Sequence, residues 1–158
     1  MMSIARIGDP MTHRRVLGPI AARHLDARLD HLPGDAPWRP ADALGGEPDA
    51  SIDTVVAVGA FCASADLDLT VSTVRRVLAP GGRLLFLEHV GRVGVMGMLH
   101  RASDAAWASL PQGCHVDHDL PAALRRGGFL VSDLERCTMP SVIPLLRPWV
   151  QGIALVRS

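Results

Sequence analysis

The stretch Ile52-Asp-Thr-Val-Val-Ala-Val58, followed later by Val74-Arg-Arg-Val-Leu-Ala-Pro-Gly-Gly-Arg-Leu-Leu-Phe-Leu-Glu-His89, decides the fold class. Val55, Val56, Ala57 and Val58 form an unbroken apolar run, which suits a strand covered on both faces. Leu69, Val71, Val74, Val77 and Leu78 fall along one side of a helix predicted over 69–78. Ala79-Pro80-Gly81-Gly82 stops that helix, because proline lacks the N–H that a further turn needs and glycine accepts the positive φ of a sharp reversal. Leu84, Leu85, Phe86 and Leu87 then predict a second buried strand over 83–90. Strand, helix and strand in this order make a right-handed βαβ unit with parallel strands.

Downstream, Met96, Met98, Leu99, Ala102, Ala106, Trp107 and Leu110 predict a helical segment over 91–110, followed by a polar loop over 111–119. A short helix over 121–127 ends at Gly127-Gly128, and residues 129–137 read as a strand. A proline-punctuated loop over 140–148 leads to a last strand over 152–156. Two late strands with no helix between them predict an antiparallel hairpin at a sheet edge. Upstream, Pro19 suits the first turn of a helix over 20–32, where its missing N–H costs nothing. Ile20, Ala21, Leu25, Leu29 and Leu32 recur there at helical spacing, with Arg28 as the exception, and Pro33-Gly34 closes it. Residues 34–50 are too rich in proline and glycine to stay regular for long. Residues 1–18 carry no clear pattern.

The chain has 158 residues, enough for one domain with one core. Sixteen basic and sixteen acidic residues cancel, whereas non-specific nucleic-acid binding needs a basic excess to neutralise phosphates, so no nucleic-acid partner is expected. No stretch approaches the roughly 20 apolar residues that span a bilayer. Cys62, Cys114 and Cys137 form no CxxC pair, and no signal-peptide run opens the chain. Free thiols in a reducing cytoplasm are the expectation.

The segment from Asp49 through Val56, the piece Arg76-Val-Leu-Ala-Pro-Gly-Gly-Arg-Leu84 with Glu88-His89, and the later Gly113-Cys114-His115 and Leu124-Arg-Arg-Gly-Gly-Phe129 together resemble one family. It is the class I S-adenosylmethionine (SAM)-dependent methyltransferases, small-molecule type. The resemblance runs to the branch of the ubiquinone/menaquinone C-methyltransferases and the methyltransferase-like thiol methyltransferases. It covers about residues 41–158 of a single domain, leaving 1–40 as a divergent N-terminal segment. It implies an α/β fold: an incomplete Rossmann-like sheet of parallel strands, helices on both faces and a C-terminal antiparallel hairpin. The first strands and the glycine loop are expected to be missing or rewritten. Family members carry an E/D-x-G-x-G-x-G loop whose amides approach the methionine part of SAM. Here the comparable stretch, Arg15-Val16-Leu17-Gly18-Pro19-Ile20-Ala21-Ala22, has one glycine followed by a proline.

The resemblance implies Asp42, Ala43, Gly59 and Ala60 as cofactor-binding positions, Asp42 by way of the adenine amino group. Glu88 and His89 end a buried strand at the edge where open α/β sheets bind ligands. A histidine beside a carboxylate suits general-base work, so Glu88, His89 and His115 are the catalytic candidates, in that order. Cys114, His115, Asp117 and His118 crowd one loop, but structural zinc takes two separated ligand pairs, so no metal is expected. The arginine pairs, Arg75-Arg76 and Arg125-Arg126 among them, are expected on solvated helix faces.

The functional expectation is a SAM-dependent methyltransferase-like protein that acts on a small molecule with a degenerate cofactor site. The alternative is a methyltransferase-derived chain that no longer uses SAM, either a binder, cyclase or isomerase of an apolar metabolite or a non-catalytic dimeric partner. With its family neighbour lost, strand 52–58 is expected either to be covered by the N-terminal segment or to pair with a second copy. A homodimer through that exposed strand is the favoured outcome.

Overall fold

The computed structural model describes residues 2–11, 19–90, 98, 114–115, 118–140 and 147–157. The predicted helix over 91–110 lies outside the described residues apart from Met98. Among the described residues, six strands form one sheet in the order β2-β1-β3-β4-β6-β5. These are β1 (Ile4–Gly8), β2 (Trp38–Arg39), β3 (Ile52–Val58), β4 (Leu78–His89), β5 (Phe129–Thr138) and β6 (Pro148–Val156). The helices are α1 (Pro19–Leu29), α2 (Leu67–Val77) and α3 (Leu120–Arg126), and a 3₁₀ turn spans Ala41–Gly46.

β3 sits centrally, as its continuous apolar run requires: Val55 through Val58 are fully buried. It pairs in parallel with β4, Val55 opposite Leu84 and Val58 opposite Leu87. Because alternate residues of a strand face opposite ways, its two rows meet different cores. Val55 and Ala57 join Val71, Val74, Val77, Leu120 and Leu124 in a cluster that seats α2 and α3 on one face. Val58 and Leu87 join Leu25 of α1, Met139 and Trp149 on the other. The antiparallel hairpin is present as β5 against β6, and β6 also pairs antiparallel with β4.

The helix-to-strand turn after α2 is tighter than the sequence predicts. β4 begins at once at Leu78, opposite Ile52, and the register then shifts between Ile52 and Thr54. The intervening residues loop out. Gly81 takes φ +76, and a Cβ on Gly82 would lie 2.8 Å from the Ala79 carbonyl oxygen.

The N-terminal segment corrects one expectation. Strand 52–58 is not an exposed edge: β1 pairs with it in parallel over its length, Ile4 opposite Thr54 and Gly8 opposite Val58. The amide of Ser3 donates to Asp53 Oδ2 at 2.7 Å, and the Ser3 carbonyl accepts from Thr54, so the strand is anchored at its start. With both sides of β3 paired inside the chain, the physical reason for a homodimer through that strand is gone. Of the first strands, expected as missing or rewritten, two short ones are present, β1 and the two-residue β2.

Two further placements differ from the helical pattern. Leu69 belongs to the apolar spacing of α2 yet is 62% exposed. Arg28, the exception on α1, is half-buried because its guanidinium reaches the Gln151 side chain of β6.

Candidate functional site

β1, β2, β3 and β4 run parallel, so their carboxyl ends share one edge of the sheet. The chain passes from β1 outward to β2 and then returns to β3 on the other side of β1. Strand order therefore reverses between β1 and β3, and open α/β sheets bind ligands in the crevice at such a point. A cleft of about 1020 Å³ lies there. Gly8 and Asp9 line it from β1, Trp38 and Arg39 from β2, Asp42 from the 3₁₀ turn, and Gly59 and Ala60 from the end of β3. Leu69, Thr70 and Thr73 of α2 close its far side, which explains the outward Leu69.

The crevice stays open at its root because of Gly8. With φ +114, a Cβ there would come 1.9 Å from the Val58 carbonyl oxygen, so no side chain fits between the ends of β1 and β3. Trp38 is held flat by Arg6, whose guanidinium carbon sits 4.1 Å from the ring centroid, a cation–π contact. The 3₁₀ turn that carries Asp42 is held by Arg76 of α2. Its guanidinium donates to the carbonyls of Leu44, Gly45 and Glu47 and to Asp49 Oδ1 at 2.6 Å. Arg76 is thus a staple across two elements and not the solvated helix-face charge expected of it. A planar multi-donor cation does this where lysine would not.

The sequence-predicted positions separate in space. Asp42, Gly59 and Ala60 line the cleft; Ala43, their neighbour in sequence, is exposed and does not. Glu88, His89 and His115 are not among the lining residues. Glu88 is 1% exposed, and its carboxylate accepts from the Ala60 amide at 2.9 Å and the Cys62 amide at 3.1 Å. His89 is buried against Trp149, ring centroids 5.9 Å apart. His115 stacks on His118 at 5.0 Å, and its amide donates to the Cys62 carbonyl. Gly8, Trp38 and Thr73 were missed in the sequence. A glycine closing the short run Ile4-Ala-Arg-Ile-Gly8 was the one available signal.

Cys62 and Cys114 meet in the interior with their sulfurs 3.3 Å apart. The hydrogen bond between them, then burial, hold the Cys62 thiol well above its ordinary value of 9.0. This sets a sign. Above pH 9 the unfolded chain loses the thiol proton while the folded chain keeps it, so stability falls as pH rises. The chain contains no lysine and no tyrosine, so cysteines are the side chains that titrate in this range. Urea denaturation between about pH 8 and pH 10.5 should show stability declining as pH rises. Cys62→Ala should make the decline shallower, with the Cys137 thiol, pushed up by burial, leaving a remainder; an equal decline in that variant contradicts the assignment.

Comparison with known proteins agrees with this layout. A family model described as a methyltransferase domain matches residues 21–86. Among curated proteins, the human thiol S-methyltransferase TMT1A is 31% identical over 109 residues, 68% of this chain and 45% of its own length. The rat thiol S-methyltransferase TMT1B is 32% identical over the same shares. Among solved structures, the [4+2]-cyclase SpnF superposes with a TM-score of 0.63 at 16% identity, covering 99% of this chain and 74% of that one. A SAM-dependent methyltransferase from Methanosarcina mazei gives 0.62 at 15%, covering 98% and 92%. The domain match, the curated relatives and the shared fold support the class I SAM-dependent methyltransferase family for this chain. Within it, the sequence similarity runs to the thiol S-methyltransferases, of whose length the chain spans about half.

The cofactor of that family is SAM, and the cleft fits its nucleoside part. Asp42 offers a carboxylate acceptor on the rim, Trp38 an apolar plane, and Gly59 and Ala60 a wall without bulk. The Arg39 charge is matched by Glu47 at 2.7 Å. Among the described residues no group of three or more His, Cys, Asp or Glu side chains is placed to hold a metal. None of the described helices is long and apolar enough to cross a membrane.

Proposed function

We propose that the cleft between β1 and β3 holds SAM and that the protein transfers its methyl group to a small-molecule acceptor, with thiols as the first class to test. The observation that carries this is the placement of Asp42, Gly59 and Ala60 around one crevice at the point where strand order reverses. The thiol comes from the similarity to TMT1A and TMT1B, which are named thiol S-methyltransferases.

When bound, SAM supplies an electrophilic methyl group on a sulfonium, so the protein's part is mainly to position the acceptor. Asp42 would accept from the adenine amino group, and Gly59 and Ala60 would let the nucleoside approach the backbone. Leu69 and Met11, both exposed and both on the cleft wall, offer an apolar lip for the acceptor. A thiol reacts as its thiolate, so at neutral pH the more acidic aromatic thiols should be better acceptors than simple aliphatic ones.

A second reading, a methyltransferase-derived protein that no longer uses SAM, is favoured by Pro10. Two residues past Gly8, at the first helical position after β1, it removes an amide donor from the place where the family holds the methionine part. Incubation with SAM and a panel of small aliphatic and aromatic thiols, read by mass spectrometry, separates the two. A product about 14 mass units heavier, formed only with folded protein and lost in Asp42→Ala, supports methyl transfer. No product from any thiol, together with no binding of S-adenosylhomocysteine, supports the second reading.

A further inference from the structure

Glu88 is a buried carboxylate that the cleft does not contain. Burying such a charge is costly unless it is hydrogen-bonded, so its partners indicate what it is for. One oxygen accepts from the Ala60 amide and the other from the Cys62 amide. Both donors lie on the turn 59–62 that follows β3, and both bonds are charge-assisted, stronger than bonds to a neutral acceptor. Gly59 in the same turn takes φ +62, and its amide donates to the Leu87 carbonyl, one residue before Glu88. The end of β4 therefore grips three points of the turn: Gly59 through the backbone, Ala60 and Cys62 through the carboxylate.

A second segment also holds the turn. The Cys62 carbonyl accepts from the His115 amide at 2.6 Å, and His118 Nδ1 lies 3.1 Å from the Phe61 carbonyl oxygen. Two segments thus hold the turn, and Gly59 and Ala60 within it line the cleft.

We infer that Glu88 is a positioning residue, whose carboxylate holds the turn 59–62 in the conformation that makes Gly59 and Ala60 a preformed wall of the cleft. This rests on the proposed nucleoside site and assigns Glu88 to shaping it rather than to acid–base work. A carboxylate whose two oxygens each face a backbone donor is matched to that pair; an amide is not, because its NH₂ would face one of the donors.

The test compares wild type, Glu88→Gln and Leu124→Ala. The last removes a fully buried side chain of α3 that does not line the cleft. Amide hydrogen exchange is the first readout. In wild type, Ala60 and Cys62 should be as protected as the central amides of β3. In Glu88→Gln they should exchange at least about tenfold faster while Val55, Val56 and Ala57 keep their protection. The second readout is calorimetric affinity for S-adenosylhomocysteine, expected to weaken at least about tenfold in Glu88→Gln and to hold within about twofold in Leu124→Ala, measured where both are folded.

Unchanged exchange at Ala60 and Cys62 overturns the inference whatever the affinities. So does equal weakening of affinity in the two variants, since a generally loosened fold would then explain it. Should Glu88→Gln fail to fold, the wild-type exchange decides: loop-like rates at both amides overturn the inference and β3-like rates support it. Absence of binding by wild type counts against the nucleoside site itself, and the exchange comparison then stands as the test of what Glu88 holds.

Discussion

Gly8→Ala should lower stability by about 3 kcal/mol or more, because two costs fall on one methyl group. A φ of +114 is a region that L side chains rarely adopt, and holding one there costs about 1–3 kcal/mol. The methyl would also sit 1.9 Å from the Val58 carbonyl oxygen and 2.8 Å from its carbon, backbone atoms that cannot rotate away. Relieving such overlap by moving a strand costs about another 1–3 kcal/mol. Against a total stability of about 5–15 kcal/mol for an ordinary domain, this is a large fraction. Urea denaturation at neutral pH reads it directly. A change below about 1 kcal/mol would mean that β1 and β3 do not meet as described, and the cleft between them would lose its geometric basis.

Trp149→Ala should cost about 3–5 kcal/mol, the usual range for removing a large buried aromatic side chain. Trp149 is 1% exposed and is among the largest fully buried side chains described. It pairs with His89 across β4 and β6 and with Cys137 across β5 and β6, and it packs with Leu25, Val58, Leu87 and Met139. It thus ties the hairpin and α1 to the end of the strand that carries Glu88. Thermal and urea unfolding should agree on the loss. A cost under about 1.5 kcal/mol would show that this second core is not closed around the indole.

Much of the fold was legible because its signals are local. The apolar run at Val55 to Val58, the spacing of Val71, Val74 and Val77, and the stop at Ala79-Pro80-Gly81-Gly82 each follow from one element's own chemistry. β3, α2, β4, α3 and the β5–β6 hairpin were readable from such patterns. β1 was not, because five residues with an arginine in the middle carry too little alternation to stand out. Only pairing with β3 makes Ile4–Gly8 a strand, and a single chain does not advertise its pairing partner. The expectation of an exposed β3 followed from that omission.

The site divides in the same way. Asp42, Gly59 and Ala60 were placed by the family pattern, and all three line the cleft. Ala43 came with Asp42 by adjacency, but residues one apart on a 3₁₀ turn point to different sides. Glu88 was legible as a polar residue at a functional strand end, while its partners were not. The bonds to the Ala60 and Cys62 amides join residues 28 and 26 positions away, which no local pattern encodes. Arg76 is the same case: a helix-face arginine by spacing, and in space the holder of the turn that carries Asp42.

The central claim is that the crevice between β1 and β3 is a site for the adenosyl cofactor. Calorimetric titration of the folded wild-type chain with S-adenosylhomocysteine tests it most directly, with Asp42→Ala beside it. Binding in the micromolar range, weakened about tenfold or more when the Asp42 carboxylate is removed, is the predicted result. No heat of binding at millimolar ligand, or an affinity that ignores Asp42, would contradict it.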